Sequence, residues 1–252
     1  MIEKILSAVE ESFTTFIYKQ HPLNNSNRAT MLQTSTIRFL KDLKKNNNKP
    51  WFDKNRKRYE EAKADFLQFI QAVIDAYSKK DKTLIGIKAK DCIFRINRDV
   101  RFSKDKSPYK TNFGASINKD GRKAFSSAGY YFHMEPGQVF LGGGIYQPPP
   151  AELSKVRQEV DYCYDEFKKI IAAKKFKAVF GDLDKSKEFL LSRVPKGYAT
   201  DNPAAAYLKL KSYLAITELN DQDLVSKNLL KKTTAVFEAL KPLIDFINRA
   251  LA

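Results

Sequence analysis

The residues best suited to chemistry lie in one stretch, FRINRDVRFSKDKSPYKTN, from Phe94 to Asn112. It holds three arginines, three lysines and two aspartates among apolar residues. Alternation in DCIFRINRDVRF predicts a β-strand, whose side chains would point to opposite faces in turn. One face would collect Phe94, Ile96, Arg98, Val100 and Phe102 as core, with Arg98 intruding. The other would carry a row of Arg95, Asn97, Asp99, Arg101 and Ser103. Guanidinium groups present planar forks that match phosphate or carboxylate, and Asp99 would hold one of them in place. The alternative is a salt-bridge network with no ligand. The following loop adds Lys104, Lys106, Ser107, Tyr109, Lys110, Thr111 and Asn112, with Pro108 stiffening its turn. Such a loop suits anion capture. Asn55 and Arg56, at a helix start, join the candidate ligand-binding set of Arg95, Asn97, Arg98, Arg101, Ser103, Lys104, Lys106 and Lys110. Their other reading is helix capping and a surface ion pair.

Charge elsewhere agrees with an anionic partner. The net charge of +16 comes from 45 basic and 29 acidic side chains. Residues 31–60 carry nine basic and three acidic side chains, and residues 88–123 carry eleven and four. A clustered excess favours phosphorylated small molecules, nucleotides or nucleic acid. It equally serves solubility.

Several chemistries find no support. With two histidines and two cysteines the chain offers no zinc-like spacing and no HExxH pattern. No Walker loop occurs, and GGGIY does not match the dinucleotide fingerprint. His133 reads as an ordinary strand histidine. No cofactor or metal is expected. Acid–base chemistry, if there is any, would fall to Asp99 and Tyr109 with arginines stabilising negative charge. Cys92 and Cys163 read as small buried residues, which suits a reducing cytoplasm. No apolar run is long enough to span a membrane.

The elements that must position these residues follow from periodicity. Residues 1–30 read as an amphipathic helical extension and linker, with Met31 as a candidate start of the main domain, 31–252. A helix with Ile37, Leu40 and Leu43 is expected, capped by Ser35 or Thr36. A longer one follows Pro50, with Tyr59, Ala62, Phe66, Phe69, Ile70, Val73 and Tyr77 on one face. Strands are expected at TLIGI, DCIFRINRDVRF, TNFGASIN, AGYYFHM and QVFLGGGIY, the last two joined by an EPG turn. The three glycines predict a bulge or a close backbone approach. Helices then carry Leu153 to Ile170, SKEFLLSRV and Val236 to Ile247, with a strand near Ser212–Glu218. Helices, a run of antiparallel strands and further helices indicate an α+β single domain. Its mainly antiparallel sheet would be packed by helices from both ends of the chain.

The block from Phe94 to Asn112 also resembles the signature of a family known as domain of unknown function 2461. KPWFDKNRKRYE, PGQVFLGGGIYQPPPAELSKVRQEV and PKGYATDNPAAAYLKLKSY resemble it too, so the likeness runs from about Thr34 to near the C-terminus. It implies a single α+β domain and brings no established activity. It also implies histidine in many relatives where this chain has Asn202, so an acid–base role there is not expected. The first reading is thus a cytoplasmic protein that binds an anionic small molecule or nucleotide in a basic cleft. A nucleic-acid-binding module and an enzyme acting on an anionic substrate are the alternatives.

Overall fold

The structure is a computed structural model that describes residues 30–121 and 127–252. The expected N-terminal extension, residues 1–30, lies outside the described residues except for Thr30. Ten α-helices and four strands are found among the described residues, and the fold is α+β.

The chain enters through α1 (Thr34–Lys45), α2 (Lys49–Lys54) and α3 (Arg56–Tyr77). Neither Ser35 nor Thr36 caps α1. Its N-cap is Gln33, and α3 steadies this end: Asp65 accepts from the Gln33 amide at 2.9 Å and from the Thr36 hydroxyl at 2.6 Å. The long helix expected after Pro50 is two helices. Asn48 caps α2 by accepting from the Trp51 amide at 3.0 Å, and the helical path breaks at Asn55 (φ −107°, ψ 16°).

The sheet contains β1 (Phe113–Ile117), β2 (Gly129–Glu135), β3 (Gln138–Ile145) and β4 (Tyr213–Leu219), antiparallel and in that order. Glu135, Pro136 and Gly137 make the predicted β2–β3 turn. One face buries Phe113, Ala115, Ile117, Tyr130, Phe132, Met134, Val139, Leu141, Ile145, Tyr213 and Ala215. Two helices pack on it from opposite ends of the chain. Phe66 and Phe69 of α3 meet Phe113 and Phe132, each pair at 5.3 Å between ring centres. Phe237, on a C-terminal helix (Leu229–Leu251), stacks on Tyr130 at 4.6 Å. The glycines of β3 serve close approach: a Cβ on Gly143 would lie 2.4 Å from the Gly129 carbonyl oxygen and 3.1 Å from Leu240.

Three expected elements differ. TLIGI is a 3-10 turn (Lys82–Leu84) followed by a loop, and α4 (Ala89–Cys92) occupies the start of the expected charged strand. Beyond it, among the described residues, only Ile93 and Phe94 pair with β1, Ile93 by a bridge to Ala115 and Phe94 by an amide that donates to the Gly114 carbonyl. The chain then pairs with its own continuation, through Arg98 to Pro108 and Lys110 to Ile96, so residues 99–107 form a closed loop. The face expected to be core therefore dissolves: Ile96 is buried, but Phe102 is 95% exposed. SKEFLLSRV is one 3-10 turn (Lys187–Phe189) and an extended piece, because Leu191 and Lys211 exchange backbone bonds with Lys209 and Phe189.

After β3 the chain forms α5 (Pro150–Tyr162), α6 (Tyr164–Ala172) and α7 (Lys174–Phe180). The first two share the apolar stripe expected of a single helix, interrupted at Cys163 (φ −108°, ψ 35°). Short α8 (Ala205–Leu208) precedes β4. Asn220 then caps α9 (Asp221–Leu224) with a capping box, and the helix Leu229–Leu251 is α10.

Candidate functional site

The loop closed by residues 96–98 and 108–110 faces the C-terminal end of α1. The joint is a single side chain. Asn47 donates to the Tyr109 carbonyl at 2.8 Å and accepts from the Tyr109 amide at 3.1 Å. A side-chain amide carries one donor and one acceptor in the spacing of a backbone edge, so Asn47 substitutes for a strand neighbour. Tyr109 is thereby pinned, and its ring stacks on Phe52 at 3.9 Å.

Between the two segments lies an open hollow of about 360 Å³, lined by Lys44, Asn47, Arg98, Asp105, Ser107, Tyr109, Lys110, Thr111 and Asn112. Three of these side chains are cationic. Arg98 donates to Asp105 at 2.5 Å, to the Ser107 carbonyl at 3.1 Å and to Ser103 Oγ at 3.3 Å. Asp105 is held at a pKa of about 2 by the Ser107 hydroxyl and amide, then by Arg98. Lys44 reaches Glu135 at 3.0 Å. Lys110 differs from both in lying against a ring in place of a carboxylate: its ammonium sits 5.3 Å from the centre of the Phe94 ring, and burial, then Arg95, lowers its pKa.

Of the residues singled out by sequence, Arg98, Ser107, Tyr109, Lys110, Thr111 and Asn112 line the hollow. Ser103 and Lys106 serve the loop itself, Ser103 by accepting from Arg98 and Lys106 by donating to the Val100 carbonyl at 3.0 Å. Arg101 grips Asp99 with two nitrogens, Nε at 2.9 Å and Nη2 at 2.7 Å, on the exposed side of the loop. That bond to Arg101 holds the Asp99 carboxyl below its ordinary range. Arg95, Asn97 and Lys104 are exposed. Asn55 and Arg56 stand at the α2–α3 break. Asn55 donates to the Trp51 carbonyl and accepts from Arg58, while Arg56 pairs with Asp53 at 3.0 Å. Asn202 donates to Asp161 at 2.6 Å and does not line the hollow.

Residues that sequence reasoning passed over complete the surroundings. The sequence by itself assigns no role to Lys44 or Asn47. Glu135 read only as a turn residue, yet it accepts from Lys44 and from the Thr111 hydroxyl at 2.9 Å. His133 lies beside it, Nε2 at 4.0 Å from Glu135 and Nδ1 at 3.1 Å from the Tyr131 hydroxyl. Burial lowers the His133 pKa, opposed by the Glu135 charge, so the imidazole is neutral at pH 7. Among the described residues no group of three or more histidine, cysteine, aspartate or glutamate side chains could hold a metal ion. No described helix is long and apolar enough to cross a membrane.

Chemically, the hollow sets the cations of Lys44, Arg98 and Lys110, the Asn112 amide and the Tyr109 hydroxyl beside one carboxylate, Asp105, while the Ser107 and Thr111 hydroxyls already donate to Asp105 and Glu135. Cations in excess over carboxylate suit an oxyanion. No curated protein matches the chain. No solved structure matches it either. A family model described as "Conserved hypothetical protein (DUF2461)" matches residues 35–246, which span α1 to α10 and include every residue lining the hollow, and the chain belongs to that family.

Proposed function

We propose that the protein binds a phosphorylated or otherwise anionic small molecule in the hollow between α1 and the 96–110 loop. The observation that carries this reading is Lys110. An ammonium withdrawn from water costs free energy unless a counter-charge compensates it. Here burial and the Arg95 charge both act against it, and its described neighbour is the Phe94 ring. A ring face compensates only partly. A bound oxyanion would supply the missing charge, with Lys44, Arg98 and the nearby amides completing its shell.

Asp99 and Tyr109 are assigned no proton-transfer role in this reading. Asp99 is tied to Arg101, and Tyr109 serves as a wall. A cytoplasmic setting, in which Cys92 and Cys163 stay thiols, completes the proposal. The test is calorimetric titration with inorganic phosphate, pyrophosphate and ribose 5-phosphate. Saturable binding that Lys110→Met weakens by about tenfold or more supports the proposal. Absence of binding to all three at millimolar concentration overturns it.

A further inference from the structure

The outer face of the sheet carries an aromatic cluster that anion binding does not use. In β2 and β3 the residues turned away from α3 and α10 include Tyr131, His133 and Phe140. Phe94, which adds to the β1 edge, joins them. Phe94 meets Tyr131 at 6.4 Å, Tyr131 meets Phe140 at 5.7 Å, and His133 stacks on Phe140 at 4.4 Å with only 10° between planes. All four are half-buried, so the cluster forms part of the molecular surface rather than the core. Glycines flank it: a Cβ on Gly114 would stand 2.7 Å from the Tyr131 hydroxyl. A side chain there would displace that ring.

This cluster and the hollow share a wall. Two hollow-lining residues touch it: Lys110 lies over Phe94, and the Asn112 amide lies 3.5 Å from His133 Nδ1; Thr111 between them donates to Glu135, the neighbour of His133. An anion in the hollow would therefore sit next to a set of ring faces. Lys110 connects the two halves. A cation over a ring is held more weakly than one hydrogen-bonded to phosphate. A phosphate that draws the ammonium into the hollow would leave the Phe94 face open to another flat group. Bases stack on such faces whatever their identity.

We propose that the hollow and the aromatic cluster form one site for a nucleotide unit, its phosphate on Lys110 and its base against Phe94 and the neighbouring rings. This rests on the anion-binding reading above and adds the ring. The unit could come as a free nucleotide or as part of a single strand, and the net charge of +16 draws either.

The experiment compares dissociation constants for AMP, ribose 5-phosphate and a six-nucleotide single strand, with wild type, Phe94→Leu, Phe94→Ala and Lys110→Met. The leucine variant keeps apolar bulk and removes the ring, so a folding defect in the alanine variant does not decide the result. AMP is expected to bind about tenfold or more tightly than ribose 5-phosphate. Phe94→Leu is expected to erase that advantage, so that AMP and ribose 5-phosphate bind alike, while Lys110→Met weakens both. Equal affinity of wild type for AMP and ribose 5-phosphate overturns the ring site and leaves the anion site standing. No binding of either overturns both. Tighter binding of the six-mer with a steep salt dependence supports the site with a polymer as its source. Preference for AMP over the six-mer supports it with a free nucleotide.

Discussion

Asn47 and Tyr109 are joined as a strand pair would be, by one side chain bonded to both the amide and the carbonyl of one residue, at 3.1 and 2.8 Å. The contact spans 62 residues of sequence and ties the closed loop to the end of α1. Removing the side chain leaves two half-buried backbone groups to find new partners. Asn47→Ala should lower stability by about 1–3 kcal/mol. Because the same contact shapes the hollow, phosphate affinity should fall as well. Urea denaturation and calorimetry check the two parts, and a variant with wild-type stability would show that the loop is held by other contacts.

Lys110→Met separates binding from folding. Folding lowers the Lys110 pKa, so the unfolded chain holds this proton more tightly, and the ammonium opposes folding at neutral pH. Replacement by an apolar chain of similar length should leave the melting temperature unchanged or raised. Phosphate affinity should drop by about ten- to hundredfold, as expected for loss of a charge-assisted hydrogen bond. A stability loss with unaltered phosphate affinity would assign Lys110 a structural task instead.

His133 should make the fold acid-sensitive. Its folded pKa lies below the ordinary histidine value of 6.5, chiefly because of burial. The unfolded chain therefore binds more protons between that lowered pKa and 6.5, and stability falls as the pH drops through this window. Tyr131, Asn112, Phe140 and Glu135 surround the ring, and only Glu135 offers charge to offset protonation. The melting temperature of His133→Gln should decline less than that of wild type between pH 7 and pH 5. Parallel curves would place the acid sensitivity elsewhere.

Phe102 and Gly144 should behave oppositely under substitution. Phe102 is 95% exposed at the loop tip, and Phe102→Ser should change stability by no more than about 0.5 kcal/mol. Gly144 has φ +124°, and a Cβ there would lie 1.8 Å from the Tyr213 carbonyl oxygen. Gly144→Ala should cost about 3 kcal/mol or more, since β3 must bend or part from β4 to accept it. Denaturant midpoints measure both. A large cost at Phe102 would restore the expectation that it belongs to the core.

Much of the architecture was legible from periodicity. Phe66, Phe69 and Val73 at helical spacing marked the face of α3 that meets the sheet. Alternation in AGYYFHM, the EPG turn and QVFLGGGIY mark the β2–β3 hairpin. Both patterns are local: burial of one face imposes the spacing whatever the partner. The charged block illustrates the limit. Its alternation resembles a strand, but Arg98 and Asp105 satisfy each other within a loop, and among the described residues β1 does not pair with the block past Phe94. Alternation indicates which side chains share a face only when a partner strand exists.

The sequence by itself determined the α+β class, the helix and hairpin faces and the block in which cations concentrate, because each follows from residue type and short-range spacing. Tertiary structure alone decided which cations meet. It turned Arg101 outward onto Asp99, brought Lys44 and Asn47 to Lys110 across some sixty residues, and set His133 and Glu135 beside them. The physical reason is that a hollow is made where distant surfaces pack, and the spacing of residues along the chain carries no record of which surfaces those are.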